Sequence, residues 1–201
     1  MKIVYIARHG ETDANKAMRF QGHTDNPLNA KGHAQAEELA SRVANLHLAK
    51  IYASDLTRAV QTATPMAKDH NLPIVSLPDF REICFGKWEG LTFNEIKAQW
   101  PSSIDLFLEK PKEARIENGE SFPEVQKRAW DALQEIVEEQ AEDTSIMLVA
   151  HGGIVRVLLC AALGLDLNKM WTFYVDNASL SCLIKWEDKY LLKFHNYVGK
   201  I

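Results

Sequence analysis

Two apolar runs stand out in the chain, Ile3-Val4-Tyr5-Ile6-Ala7 and Ser145-Ile146-Met147-Leu148-Val149-Ala150. Each is short and continuous, as expected of a strand buried on both faces, and each empties into a histidine followed by glycine: Arg8-His9-Gly10 and His151-Gly152-Gly153. Between them the periodicity turns helical. Ala36, Leu39, Ala40, Val43 and Leu46 recur at helical spacing in residues 30–46, behind Asn29 as N-cap. Ile51-Tyr52-Ala53 predicts a short buried strand, and Ser54-Asp55 then starts a helix running to about residue 69. Residues 74–76 read as a third strand. Two short helices, residues 93–99 and 103–109, are separated by Pro101. Ser121 opens a longer helix with Val125, Ala129, Leu133 and Ile136 or Val137 on its apolar stripe and Glu124 completing a capping box. A helix from about residue 154 to 163 follows the second histidine. Residues 180–186 and 190–195 predict a hairpin around Glu187-Asp188.

This alternation of strand and helix points to an α/β fold, a mostly parallel central sheet covered by helices. Ligands of such sheets gather outside the carboxyl ends of the strands, where both His-Gly junctions fall. A helix starting just after His151 points free N–H groups at the same spot. The pattern therefore predicts a phosphate or carboxylate site containing two histidines. The segment Arg81-Glu82-Ile83-Cys84-Phe85-Gly86-Lys87-Trp88-Glu89-Gly90 is too polar and too glycine-punctuated for plain core and reads as a functional loop. Residues 110–119 are charged and aperiodic, a lid or surface loop.

Length and composition narrow the picture. With 201 residues, 46% hydrophobic and 25% charged, the chain can bury one substantial core, so a single domain over residues 1–201 is expected, with a lid-like insertion around residues 87–119. A net charge of −4 argues against a nucleic-acid surface, and no run reaches the length of a membrane span. No leader pattern opens the chain, so a cytoplasmic protein without nucleic-acid or membrane partners is expected. Cys84, Cys160 and Cys182 show no Cys-x-x-Cys spacing, which points away from a disulfide framework or thiolate zinc site and makes Cys160 and Cys182 small buried hydrophobes. His23, His33, His47, His70 and His195 lack zincin spacing and read as surface or packing residues, so no metal site is expected. Trp88, Phe93, Trp100 and Phe107 fit either a wall for an apolar leaving group or ordinary packing.

Arg8 and His9 from the first strand, His151 from the later one and Arg58, about one turn into the helix after residue 53, form a convergent set. Guanidinium groups match phosphate oxygens bidentately, and arginines around an imidazole suit phosphoryl transfer to nitrogen, provided the ring is neutral. The chain at this point resembles the histidine phosphatase superfamily, the phosphoglycerate mutase-like proteins. The matching segments are Arg8-His9-Gly10-Glu11-Thr12, Asp25-Asn26-Pro27-Leu28, Ser54-Asp55-Leu56-Thr57-Arg58-Ala59, Phe85-Gly86-Lys87-Trp88-Glu89-Gly90, Gly119-Glu120-Ser121 and His151-Gly152-Gly153-Ile154-Val155-Arg156. Single short motifs arise by chance, but this order and spacing do not.

The resemblance implies a three-layer α/β fold with helices on both faces of the sheet. It implies His9 as the nucleophile that becomes phosphorylated, with Arg8, Arg58 and His151 binding the phosphoryl group. Glu82 falls where the family carries its acid, and Thr12, Asn15, Gln21, Gly22 and Gly152 are the implied substrate-binding positions. No metal or other cofactor is implied. The family pattern Glu-x-Asp-x-Gly has Cys84 here in place of the second acid, which alters the local polarity but leaves Glu82. Mutases of the family carry additional arginines and a lysine after the acid. This chain has only Lys97, Lys110, Lys112 and Arg115 there, unpaired in sequence, so a phosphomonoesterase is the expected activity. Its substrate is expected to be a small phosphorylated metabolite, with α-ribazole 5′-phosphate as one candidate. A cofactor-dependent phosphoglycerate mutase and a non-catalytic phosphate-binding regulatory module are the alternatives, and a homo-oligomer is left open.

Overall fold

The computed structural model describes residues 1–199. In chain order the elements are β1 (Lys2–Arg8), α1 (Asp13–Lys16), α2 (Ala30–Val43), β2 (Leu48–Ala53), α3 (Thr57–His70), β3 (Ile74–Ser76), α4 (Phe93–Gln99), α5 (Pro101–Glu109), α6 (Phe122–Glu139), β4 (Ser145–Ala150), α7 (Gly152–Ala162), β5 (Leu180–Trp186) and β6 (Lys189–Tyr197). The strands form one sheet in the order β3-β2-β4-β1-β5-β6. The first four in that order pair parallel, and β5 pairs antiparallel with both β1 and β6.

Alternation along the strands sorts the core into two halves. Val4, Ile6, Ile146 and Leu148 face one layer with Val125, Leu133, Val155 and Leu158 of α6 and α7. Tyr5, Ala7, Met147 and Val149 face the other with Leu39, Val43, Ala63 and Met66 of α2 and α3. Both sides of the central strands are thus removed from water, which is why they read as unbroken apolar runs. Each fully buried Leu, Ile or Val adds roughly 1.5–3 kcal/mol of transfer free energy.

Several element boundaries differ from expectation, each for a local reason. The third helix starts at Thr57 rather than at Ser54-Asp55, because its first N–H and the Thr57 hydroxyl donate to the Asp25 carboxylate, both at 2.7 Å. The cap comes from 32 residues upstream, so Arg58 is the second residue of the helix and not one turn in. Pro101 does not separate two helices but opens the second one, where its missing N–H costs nothing. The helix after the second histidine begins at Gly152, with His151 itself as N-cap. Helix α2 stops at Val43, three residues short of Leu46, and β6 extends to Tyr197. The stretch between Lys110 and Gly119 is not wholly a surface loop, since Ala114 and Ile116 are buried in the core. Trp88 and Phe107 are core residues as well, whereas Phe93 is exposed. Cys160 and Cys182 are buried and Cys84 is half-buried. Among the described residues no helix is long and apolar enough to cross a membrane.

Candidate active site

Strand register brings the two histidines together. Strands β1 and β4 are parallel neighbours with Arg8 opposite Ala150, and the ladder runs one bond further, the His9 N–H donating to Ala150 O at 2.9 Å. The next residue of each strand is a histidine, and the rings of His9 and His151 meet edge to face with centroids 5.1 Å apart. On the far side of β4, strand β2 ends with Ala53 opposite Val149, which delivers Arg58 at the start of α3 to the same edge. A cavity of about 200 Å³ lies there, lined among others by Arg8, His9, Asn15, Arg58 and Glu82.

Both rings are held neutral. The Nδ1–H of His9 donates to Gly10 O at 2.7 Å, because a carbonyl can only accept, and this leaves Nε2 with a lone pair. Burial first, and then the positive charges of Arg58 and Arg8, hold His9 well below its ordinary pKa of 6.5. His151 is depressed in the same way by burial, Arg58, His9 and Arg8. Neither of its ring nitrogens, both buried, has a hydrogen-bond partner among the described residues. A buried polar atom without a partner is costly, and an anion accepting from it relieves that cost.

The arginines show the same feature. Arg58, 1% exposed, spends Nη1 on Thr24 O at 2.9 Å and Nη2 on Gly22 O at 2.7 Å, while its Nε is buried without a partner. Arg8 gives Nη1 to Val175 O at 2.7 Å, and its Nε is likewise unpartnered. Burial, with Arg156 nearby, brings the Arg8 pKa down to about 10, so it stays cationic at neutral pH. Two guanidiniums and an imidazole with unused donors around a neutral ring form a receptor for a tetrahedral anion.

Glu82 reaches this cavity from the loop after β3. Its Oε1 accepts the Ile83 N–H at 2.9 Å and its Oε2 the Gly153 N–H at 3.0 Å. The first turn of α7 therefore presents an N–H to the Glu82 carboxylate, where the sequence pattern placed the phosphate. A Cβ on Gly153 would sit 2.2 Å from Glu82 Oε1, so only glycine allows this approach. The Glu82 carbonyl accepts from His23 Nε2 at 3.0 Å and from Arg128 Nη2 at 3.2 Å. Arg128 also forks onto Glu120, both bonds 2.9 Å, and Glu120 Oε2 accepts the Cys84 N–H at 2.8 Å. The carboxylate next to the Glu82 loop thus comes from Glu120, while position 84 holds a thiol whose pKa burial raises.

The remaining expected positions divide. Asn15 lines the cavity, and its Oδ1 is taken by the Thr12 N–H at 3.1 Å and Asn177 Nδ2 at 3.3 Å, which leaves its amine side for an anion. Gln21 and Gly22 also line it. Thr12 does not: it is fully buried, caps α1 and donates its hydroxyl to Gln21 Oε1 at 2.8 Å. Gly152 lies under the arginines, where a Cβ would stand 3.0 Å from Arg156 Nη1 and 3.5 Å from Arg8 Nε. Sequence reasoning missed Asn177, whose Nδ2 also donates to His9 O at 3.1 Å, and took His23 for a plain surface or packing residue. Asp176-Asn177 carries only a turn signal, and no spacing rule ties it to residue 9. The aromatic wall is Phe20 and Phe85, packed edge to face at 4.9 Å, and not the tryptophans. Among the described residues no three His, Cys, Asp or Glu side chains gather in a way that would hold a metal ion.

A family model described as the histidine phosphatase superfamily (branch 1) matches residues 4–197. Phosphoserine phosphatase 1 of Hydrogenobacter thermophilus is 34% identical over 183 residues, covering 91% of this chain and 86% of that protein. The adenosylcobalamin/alpha-ribazole phosphatase of Escherichia coli is 28% identical, covering 90% and 88%. Among solved structures, the mycobacterial glucosyl-3-phosphoglycerate phosphatase complexed with VO3 aligns with a TM-score of 0.91 at 30% identity, covering 98% of this chain and 99% of that one.

Proposed function

This chain belongs to the histidine phosphatase superfamily and is a metal-independent phosphatase, and from that premise we propose that it hydrolyses a small phosphomonoester through a phosphohistidine on His9. The observation that carries the reading is the neutral His9 ring, its Nδ1–H tied to Gly10 O and its Nε2 lone pair available in a cavity that also holds Arg8, Arg58 and Glu82. In the first step Nε2 attacks phosphorus and the ester P–O bond breaks, while protonated Glu82 gives its proton to the leaving oxygen. In the second, Glu82 as carboxylate takes a proton from water, the water oxygen attacks phosphorus, and the P–N bond breaks to release phosphate and neutral His9. Arg8, Arg58 and His151 meet the charge that spreads over the equatorial oxygens in both steps.

Hydrolysis is favoured over mutase chemistry by where the cations after the acid go. Lys97 pairs with Asp105 and Lys112 with Asp166 at the surface, and Arg115 donates to the carbonyls of Lys112 and Ala114. None of them lines the cavity. A volume of about 200 Å³, open on one side, is room for the phosphoryl group and the start of a leaving group, which supports a small phosphorylated metabolite as substrate. The test is release of inorganic phosphate by chelator-treated protein from a panel containing phosphoserine, sugar phosphates and α-ribazole 5′-phosphate. Turnover with acid-labile, base-stable phosphate on His9 is expected, lost in His9→Ala. Full activity in His9→Ala, or conversion of 3- to 2-phosphoglycerate far outrunning phosphate release, overturns the reading.

A further inference from the structure

The carboxylate of Glu89 takes four donors from two separate loops. Its Oε1 accepts the N–H of His23 at 2.8 Å and that of Phe85 at 3.1 Å, and its Oε2 accepts the N–H of Thr24 at 2.8 Å together with the Thr24 hydroxyl. An ionised carboxylate offers about four acceptor positions and no donor, so this set matches the charged side chain and no neutral one of the same shape. Room for it comes from Gly22, which has φ +53° and where a Cβ would lie 2.1 Å from Oε1. Glycine at 22 serves this approach.

The peptide joining Gly22 to His23 is occupied by charge at both ends. Its N–H points at Glu89, and its carbonyl accepts from Arg58 Nη2 at 2.7 Å. One residue on, Thr24 gives its N–H to Glu89 and accepts with its own carbonyl from Arg58 Nη1 at 2.9 Å. A carboxylate at the N–H end and a guanidinium at the C=O end polarise a peptide in the same sense, so each bond strengthens the other. Both terminal nitrogens of Arg58 are fixed this way through one N–H each, and its buried Nε–H has no partner among the described residues, so the guanidinium keeps donors for an anion. Glu89 itself is not among the residues lining the cavity.

We propose that Glu89 is a positioning residue for the phosphoryl site, setting through the 22–24 loop the orientation in which Arg58 receives phosphate, an inference that rests on the phosphatase reading above. Three variants of the full chain test it: Glu89→Gln, Thr24→Val, and as control Glu124→Ala, which removes the capping-box acceptor of α6 away from the cavity. The readouts are calorimetric titration with inorganic phosphate, KM and kcat for p-nitrophenyl phosphate, and melting temperature. Glu89→Gln places an amine against donors, and phosphate affinity is expected to fall about tenfold with a parallel rise in KM. Thr24→Val shows the same split in smaller measure, and decides the matter should Glu89→Gln not fold. Glu124→Ala lowers the melting temperature and leaves phosphate affinity unchanged. Affinities within twofold of wild type in both loop variants overturn the inference, as does a loss that merely follows the melting temperature. A wild-type chain that binds phosphate but hydrolyses no ester instead refutes the proposed function, while the titration still reads Glu89.

Discussion

At the scale of the residue, the site works by leaving a few polar atoms without partners. Among the described residues, Nε of Arg8, Nε of Arg58 and both ring nitrogens of His151 are buried without a partner, whereas Nη1 of Arg8 and both terminal nitrogens of Arg58 each hold a backbone carbonyl. The unpartnered N–H groups of the two arginines and the single N–H of neutral His151 are unfavourable in the folded chain and suit an anion, since the anion replaces no existing bond. Glu82 stands apart from this set, because both its oxygens accept backbone N–H groups and the role proposed for it is to carry a proton. Glu82→Gln keeps the size of the side chain, removes the transferable proton and turns an NH2 toward one of the two backbone donors. Hydrolysis of alkyl phosphate esters is expected to slow by about 10²–10⁴-fold. With p-nitrophenyl phosphate, whose leaving group departs without an acid, phosphohistidine should instead accumulate, seen as base-stable, acid-labile phosphate on the quenched protein. An undiminished rate on alkyl esters would remove Glu82 from the mechanism.

At the scale of the element, strand ends and helix starts do the placing. Strand β1 carries Arg8 and the next residue is His9; β4 ends one residue before His151; α3 begins one residue before Arg58. The least obvious of these is α3, whose first residues are capped from outside the helix by Asp25. That carboxylate satisfies the Thr57 N–H and sits favourably against the helix N-terminus. Asp25→Ala is expected to cost about 1 kcal/mol of stability. It should also lower kcat/KM by more than the change in folded population explains, because the next residue is Arg58. Denaturant titration combined with kinetics at a temperature where both proteins are folded checks this. A loss of stability with unchanged kcat/KM would show that α3 holds Arg58 in place without its cap.

At the scale of the whole molecule, two neutral histidines buried in the centre of the sheet edge make stability depend on pH. The folded-state pKa of His9 and His151 lies well below 6.5, with burial as the leading cause in both. Above pH 6.5 neither the folded nor the unfolded chain protonates these rings, so their contribution is complete. As pH falls below that value the unfolded chain gains protons that the folded chain refuses, and unfolding is favoured by up to about 1.4 kcal/mol per pH unit for each ring. The melting temperature should therefore drop between pH 7 and pH 5, and His151→Asn should flatten the drop. An equal slope in the variant would mean that the buried ring does not resist protonation.

Much of this architecture is written in local sequence. The strands, the helix stripes and the cap at Asn29 follow from spacing within a few residues, and so does the delivery of His9 and His151 to strand ends, since burial periodicity and capping act over one or two turns. The family motifs located Arg58 and Glu82. What local spacing left unsettled is everything that depends on partners distant along the chain. Asp25 caps a helix 32 residues away, Gly153 gives its N–H to the carboxylate of Glu82, 71 residues earlier, and Asn177 holds the carbonyl of His9, 168 residues before it. Thr12 looked like a ligand and became a buried cap, because its hydroxyl found Gln21. A hydrogen bond between remote segments is selected by which groups burial leaves without water once the layers pack, and that choice exists only in the folded chain.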